Sequence, residues 1–121
     1  MTTIYGIKNC DTMKKAFAWL DEHGLSYTFH DYKKSGIDSA RLHAWSKAIG
    51  WKSLVNTRGT TWRKLPAERQ AIDTQSAAVQ LMQEFPSLIR RPVIETDGGQ
   101  LLVGLDLALY TSFLAPEGKA E

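Results

Sequence analysis

The sequence has 121 residues, of which 43% are hydrophobic and 23% charged, with a formal net charge of +2. A chain of this length is expected to form one domain and to bury about two-thirds of its unfolded surface, enough for a core without staples. The near-neutral balance argues against nucleic acid as a partner, and one cysteine excludes an internal disulfide framework. No apolar run approaches the ~18 residues needed to cross a membrane, and Met1-Thr2-Thr3 leads into a strand-like run rather than a leader. A cytoplasmic protein acting as a monomer, with no membrane partner, is expected.

In chain order, Thr3 to Ile7 is short, β-branched and aromatic, and it stops at a turn of Lys8 and Asn9: a buried first strand. From Asp11, Met13, Ala16, Phe17 and Leu20 fall at i, i+3, i+4, i+7, one face of a helix that Gly24 can close. Tyr27 to Tyr32 reads as a second strand, parallel to the first by the handedness of a βαβ crossover. Lys33-Lys34-Ser35-Gly36 reads as loop. Asp38 is the expected N-cap of a helix that buries Leu42, Trp45 and Ile49 and ends at Gly50. Trp51 to Leu54 and Trp62 to Leu65 read as short turns of helix on either side of a polar break, Val55-Asn56-Thr57-Arg58-Gly59-Thr60. Asp73 or Thr74 caps the next helix, with Ala78, Leu81, Met82 and Phe85 in register and Pro86 stopping it. Residues 91–96 and 100–103, around Asp97-Gly98-Gly99, read as a β-hairpin. A closing helix then carries Leu107, Tyr110, Phe113 and Leu114. The pattern β-α-β, helices, β-β-α predicts an α/β architecture with one mixed four-stranded sheet.

Cys10 is the candidate nucleophile. Most free cysteines are buried and inert, but this one sits on a polar strand-to-helix turn, not on an apolar face. Unpaired N–H groups and the dipole at a helix start favour a thiolate, the nucleophilic form. Lys8 and Lys14 are expected to add positive potential, and the Thr12 hydroxyl or N–H to donate to the sulfur. Arg58 lies in the polar break and offers a guanidinium fork suited to a carboxylate or oxyanion, although a plain surface arginine is the simpler reading. Arg90-Arg91-Pro92 opens a strand, and alternation along it sends one arginine toward the cysteine side and the other to solvent. His23, His30 and His43 lack the spacing of a zinc site, so no metal is expected. No phosphate-cradling glycine loop is present.

Ile4-Tyr5-Gly6-Ile7-Lys8-Asn9-Cys10-Asp11-Thr12, Asn56-Thr57-Arg58-Gly59-Thr60 and Leu88-Ile89-Arg90-Arg91-Pro92-Val93-Ile94 occur in the order and spacing of the arsenate reductase (ArsC) family of glutaredoxin-like proteins. Over roughly residues 3–114 the chain resembles that family, and most nearly its YffB-like branch of small bacterial thiol reductases. The resemblance implies a single thioredoxin-like domain over 3–114 with a helical insertion at about 38–85, and a flexible tail over 115–121. It implies Cys10 as the catalytic residue, with Arg58, Arg91, Pro92, Thr12 and Asn9 binding substrate or glutathione. Pro92 is implied to be cis and to lie against the cysteine, leaving the preceding backbone free to pair with an extended peptide. No bound cofactor is implied; glutathione enters as co-substrate beside a small-molecule or disulfide substrate. Arsenate reductases of the family hold their oxyanion with a third arginine, whose position falls here on apolar Leu102 or Val103. Met13 stands where a second cysteine of a Cys-x-x-Cys pair would be. A glutathione-dependent monothiol reductase is therefore expected, with oxyanion reduction at the same site and a non-catalytic regulator-like binding module as the alternatives.

Overall fold

The computed structural model of the protein describes residues 2–114; the tail expected at 115–121 lies outside them. Two compact units are present among the described residues, one formed by residues 2–31 and 91–114, the other by Tyr32–Arg90.

In the first unit, strands β1 (Thr2–Gly6), β2 (Tyr27–Asp31), β3 (Val93–Glu95) and β4 (Leu101–Val103) form one mixed sheet in the order β2-β1-β3-β4. The β1–β2 pairing is parallel, as the crossover required, and the other two pairings are antiparallel. This is the thioredoxin-like arrangement expected from the sequence. Registers place Phe29, Ile4, Ile94 and Leu102 in one row across the sheet. Against that row pack Met13, Ala16, Trp19 and Leu20 of helix α1 (Asp11–Glu22) and Tyr110 of the closing helix. Full burial of each large side chain contributes roughly 1.5–3 kcal/mol, so this row and α1 anchor the unit. Helix α1 ends at His23 as the spacing predicts. Gly24 has φ +65, donates to Asp21 O, and is followed by a Leu25 N–H bond to Leu20 O, which together satisfy carbonyls of the last turn.

Of the apolar residues expected on the closing helix, Tyr110 alone is buried; its hydroxyl donates to Gly104 O at 2.6 Å. Leu107 and Phe113 are each 47% exposed, and Leu114 is half-buried.

The second unit is helical. The loop expected at 33–36 is instead a helical turn, α2 (Tyr32–Ser35), because Tyr32 is buried and its carbonyl accepts from Gly36 N–H at 2.8 Å. Helix α3 (Ser39–Ile49) starts at Asp38, whose carboxylate accepts from Arg41 N–H at 2.7 Å. It buries Leu42, Trp45 and Ser46, with Ile49 half-buried. Short helices α4 (Trp51–Leu54) and α5 (Thr60–Arg63) flank the polar break. Beyond them α6 (Ala67–Gln70), which the pattern did not suggest, starts on the Pro66 carbonyl, acceptor for both Arg69 and Gln70 N–H groups. Helix α7 (Gln75–Glu84) is capped by Thr74, and Phe85 closes it rather than continuing it. A 3-10 turn at Pro86–Leu88 follows, then α8 (Leu107–Phe113) completes the first unit after the hairpin.

The Thr74 hydroxyl accepts from Ala77 N–H at 3.2 Å, which decides between the two candidate caps. Thr74→Ala should cost about 1 kcal/mol of stability, whereas Asp73→Ala, at an exposed position, should cost only a few tenths. Urea unfolding of the two variants checks the assignment; equal losses would contradict it.

Candidate active site

Strand β1 ends at Gly6, and Ile7, Lys8 and Asn9 turn the chain so that Cys10 becomes the N-cap of α1, with extended dihedrals of −147° and 130°. Its carbonyl accepts the first helical bond from Lys14 N–H at 2.9 Å. The half-buried side chain packs against the edge of the core under α1.

The antiparallel register sets Tyr5 beside Val93. Two residues before Val93 the chain carries Arg91, joined to buried Pro92 by a cis peptide bond. The Arg91 guanidinium thereby lies at the Cys10 sulfur. Burial pushes the Cys10 thiol up, but the Met13 N–H, the Arg91 side chain and the Thr12 N–H act in the opposite sense and prevail. The thiol is therefore held below its ordinary value.

Several expectations are refined here. The cation that matters at Cys10 is Arg91; Lys8 and Lys14 are exposed and do not figure among its causes. Thr12 acts through its N–H, not its hydroxyl. Arg90 is exposed and gives its N–H to Leu54 O at 2.8 Å, while Arg91 is half-buried; both precede β3, so the strand alternation expected of them does not apply. Asn9 lies exposed in the turn. Arg58 belongs to the second unit, in the break between α4 and α5. Its N–H donates to Asn56 Oδ1 at 3.0 Å, its carbonyl accepts from Arg63 Nη2 at 2.8 Å, and its side chain is exposed. Asn56 is itself tied to Leu88 O, and Val55 bridges Ile89. The loop that carries Arg58 is thus fastened to Leu88 and Ile89 of the same unit. Of the two positions at which the family's third arginine would fall, Leu102 is buried in the sheet core and Val103 is half-buried. Among the described residues no three His, Cys, Asp or Glu side chains gather as metal ligands, and no helix is long and apolar enough to cross a membrane.

The sequence marks Met13 as an apolar position on the helix face and as the missing second cysteine, but not as a neighbour of the sulfur. Met13 is fully buried, supplies an N–H toward the sulfur, and lies so close over Gly6 that a Cβ there would strike its Sδ and Cε. The signal was present in the sequence as a glycine ending a strand seven residues before a helical apolar position.

The ArsC family profile matches residues 5–113. The chain belongs to the ArsC family. Its sequence is similar to an uncharacterised protein of Haemophilus influenzae, 41% identical over 115 residues, which cover 95% of this chain and all of that one. Among solved structures it is similar to a YffB protein, with TM-score 0.91 and 47% identity over 95% of this chain and 100% of that chain. An arsenate reductase (ArsC) related protein from Brucella melitensis has TM-score 0.73 and 49% identity over 95% of each chain. Family membership supports a thiol-based redox role for the residues gathered at Cys10.

Two measurements probe this geometry. Arg91→Ala removes a neighbour that favours the anion, so the Cys10 pKa should rise toward the free-thiol value of about 8.5; thiolate ultraviolet absorbance against pH reads it. Gly6→Ala should raise it too, by displacing Met13, and Gly6→Ala with Met13→Ala should return it part of the way. An unmoved titration in both Gly6 variants would mean that Met13 does not position the donor. Because the folded thiol pKa is depressed, the thiolate's contribution to stability is full above the unfolded value and fades as pH falls through the folded one. Cys10→Ser should abolish that slope.

Proposed function

We propose that the protein is a glutathione-dependent monothiol reductase in which Cys10 carries the covalent step, acting as a cytoplasmic monomer. The observation that carries this reading is the thiol at the start of α1, held below its ordinary pKa by the Met13 and Thr12 N–H groups and by Arg91. The Cys10 thiolate attacks the glutathione sulfur of a mixed disulfide between glutathione and a second thiol compound. The substrate S–S bond breaks, its other sulfur leaves as a thiolate that takes a proton from water, and Cys10 is left joined to glutathione. A second glutathione, as thiolate, attacks that sulfur, forms oxidised glutathione and returns Cys10 as thiolate. The incoming glutathione thiol is oxidised as it joins the glutathione sulfur already held in disulfide, while the substrate sulfur is reduced to a thiol, so the electrons balance without a bound cofactor. A second protein thiol is not needed, which fits Met13 at the position where the dithiol members of the fold have one.

In this reading Arg91 stabilises the anionic sulfur through each exchange and, with Pro92, presents backbone to the peptide of glutathione. Thr12 holds the sulfur through its N–H, and Asn9 meets the ligand from the exposed turn. Arg58 provides a bidentate partner for a glutathione carboxylate. The arsenate reductase relatives raise oxyanion reduction as the obvious neighbouring activity. Here the apolar Leu102 and Val103 count against it, since neither position supplies the third cation.

The direct test is mass spectrometry of the protein after oxidised glutathione: one glutathione adduct is expected on wild type and none on Cys10→Ser. Turnover of a small glutathione mixed disulfide should vanish in Cys10→Ser. Arg58→Ala should raise the KM for glutathione about tenfold with kcat little changed, the signature of lost uniform binding. Arsenate turnover by the wild-type protein at a rate above that of the disulfide would transfer the assignment to oxyanion reduction.

A further inference from the structure

The overall charge of +2 conceals a strong asymmetry. Residues 32–90, less than half of the chain, carry ten Lys and Arg against four Asp and Glu, a net +6; the remainder carries five against nine, a net −4. Nine of the ten cations of 32–90 are exposed, and the tenth, Arg69, is half-buried. Two of its four acids already have work: Asp38 caps α3, and Glu84 is paired with Arg69. Lys47, Lys52, Arg58, Arg63, Lys64 and Arg90 form no ion pair with any described residue. A basic surface of this kind creates a field that draws and orients acidic partners.

Within this unit the corner formed by α5, α6 and the end of α7 holds a groove of about 350 Å³. Half-buried Leu65 and Phe85, with Pro66, supply its apolar lining; Thr60 and Thr61 add hydroxyls, and exposed Lys64 and half-buried Arg69 supply charge. Thr61 is fixed to Ser87 by a 2.8 Å hydrogen bond, and the Arg69 guanidinium lies 5.8 Å over the Phe85 ring. The groove is therefore built by tied elements and is not a gap between loose side chains.

We propose that this groove is the docking site for an acidic segment of another protein, which seats one apolar side chain against Leu65, Pro66 and Phe85 and sets its carboxylates against Lys64 and the neighbouring cations. Three features favour a protein over other anionic partners. Of the residues lining the groove Phe85 alone is aromatic, whereas single-stranded nucleic acids stack successive bases on several aromatic faces. The cations are spread over α2 to α6 rather than along one helix or strand that could track a duplex. The apolar element is concave, where a lipid surface calls for a protruding apolar face. Arg69 can serve the partner as well, because its pair with Glu84 is exposed and such pairs exchange readily. The proposal does not depend on the thiol chemistry.

Fluorescence anisotropy of the full-length protein tests it, with a labelled peptide that alternates Glu and Asp around one central Phe. Saturable binding that weakens with rising salt is expected. Lys64→Glu, an exposed change whose folding circular dichroism can verify, should weaken it roughly tenfold. Lys47→Glu, on α3 outside the groove, should change it no more than about threefold. Replacing the peptide's Phe by Ser should cost a similar tenfold. Cys10→Ser should bind as wild type does, and Lys64→Glu should keep wild-type turnover of a small thiol substrate, which separates this surface from the Cys10 site. The proposal is overturned by absence of binding at low salt, by equal binding of the Ser peptide, by equal losses at Lys47 and Lys64, or by single-stranded DNA binding more tightly than the peptide.

Discussion

The antiparallel pairing of Tyr5 with Val93 sets the end of β1 beside the start of β3, and the polar segments at those two ends are the Cys10 turn and Arg91-Pro92. Residues more than eighty apart in sequence thereby share one place, and their separation is fixed by main-chain hydrogen bonds, not by flexible side chains. The row of Phe29, Ile4, Ile94 and Leu102 under α1 makes that register costly to lose. A slip of one residue would turn this row to the opposite face. Core packing and chemistry are thus set by the same strand alignment.

At the sulfur two physical effects oppose one another. Partial burial raises the cost of the anion; the first N–H groups of α1 and the Arg91 guanidinium lower it, and they prevail. A fully exposed cysteine would escape the first effect but would also have its donors weakened by water. Half-burial at a helix start keeps the donors effective while leaving the sulfur open to a partner. Tyr5, whose hydroxyl bonds Glu95 at 2.7 Å, adds a link along the same pair of strands.

Much of this was legible in the sequence because it depends on local rules. The 3.6-residue spacing of Met13, Ala16 and Leu20, the caps at Asp38 and Thr74, and Gly24 each state a local preference that the fold obeys. The order of elements then follows from chain connectivity. What escaped was tertiary. The turn at Tyr32–Ser35 forms because Tyr32 is buried, not because Lys33-Lys34-Ser35 favours helix. Arg91 outranks the sequence-adjacent lysines at Cys10 because strand pairing brings it there, which no local window can show. The cavity at α5 and α6 and the charge contrast between units stayed hidden for the same reason: whole-chain composition averages over boundaries that only contacts reveal.

The hairpin that carries Arg91-Pro92 has a consequence for assembly. Its outer strand, β4, is three residues long, bounded by the turn that closes on Thr96 and Gln100 and by Gly104, which gives its N–H to Pro92 O at 2.9 Å. An edge so short offers little template for a neighbouring chain, and short edges are one way that sheet proteins resist uncontrolled edge-to-edge growth. On the other side, β2 runs straight into the α2 turn at Tyr32, so its pairing also stops abruptly. The sheet is wide enough to hold two distant segments in register, yet its β4 border is short, so the alignment that places Cys10 leaves little strand there for a neighbouring chain to pair with.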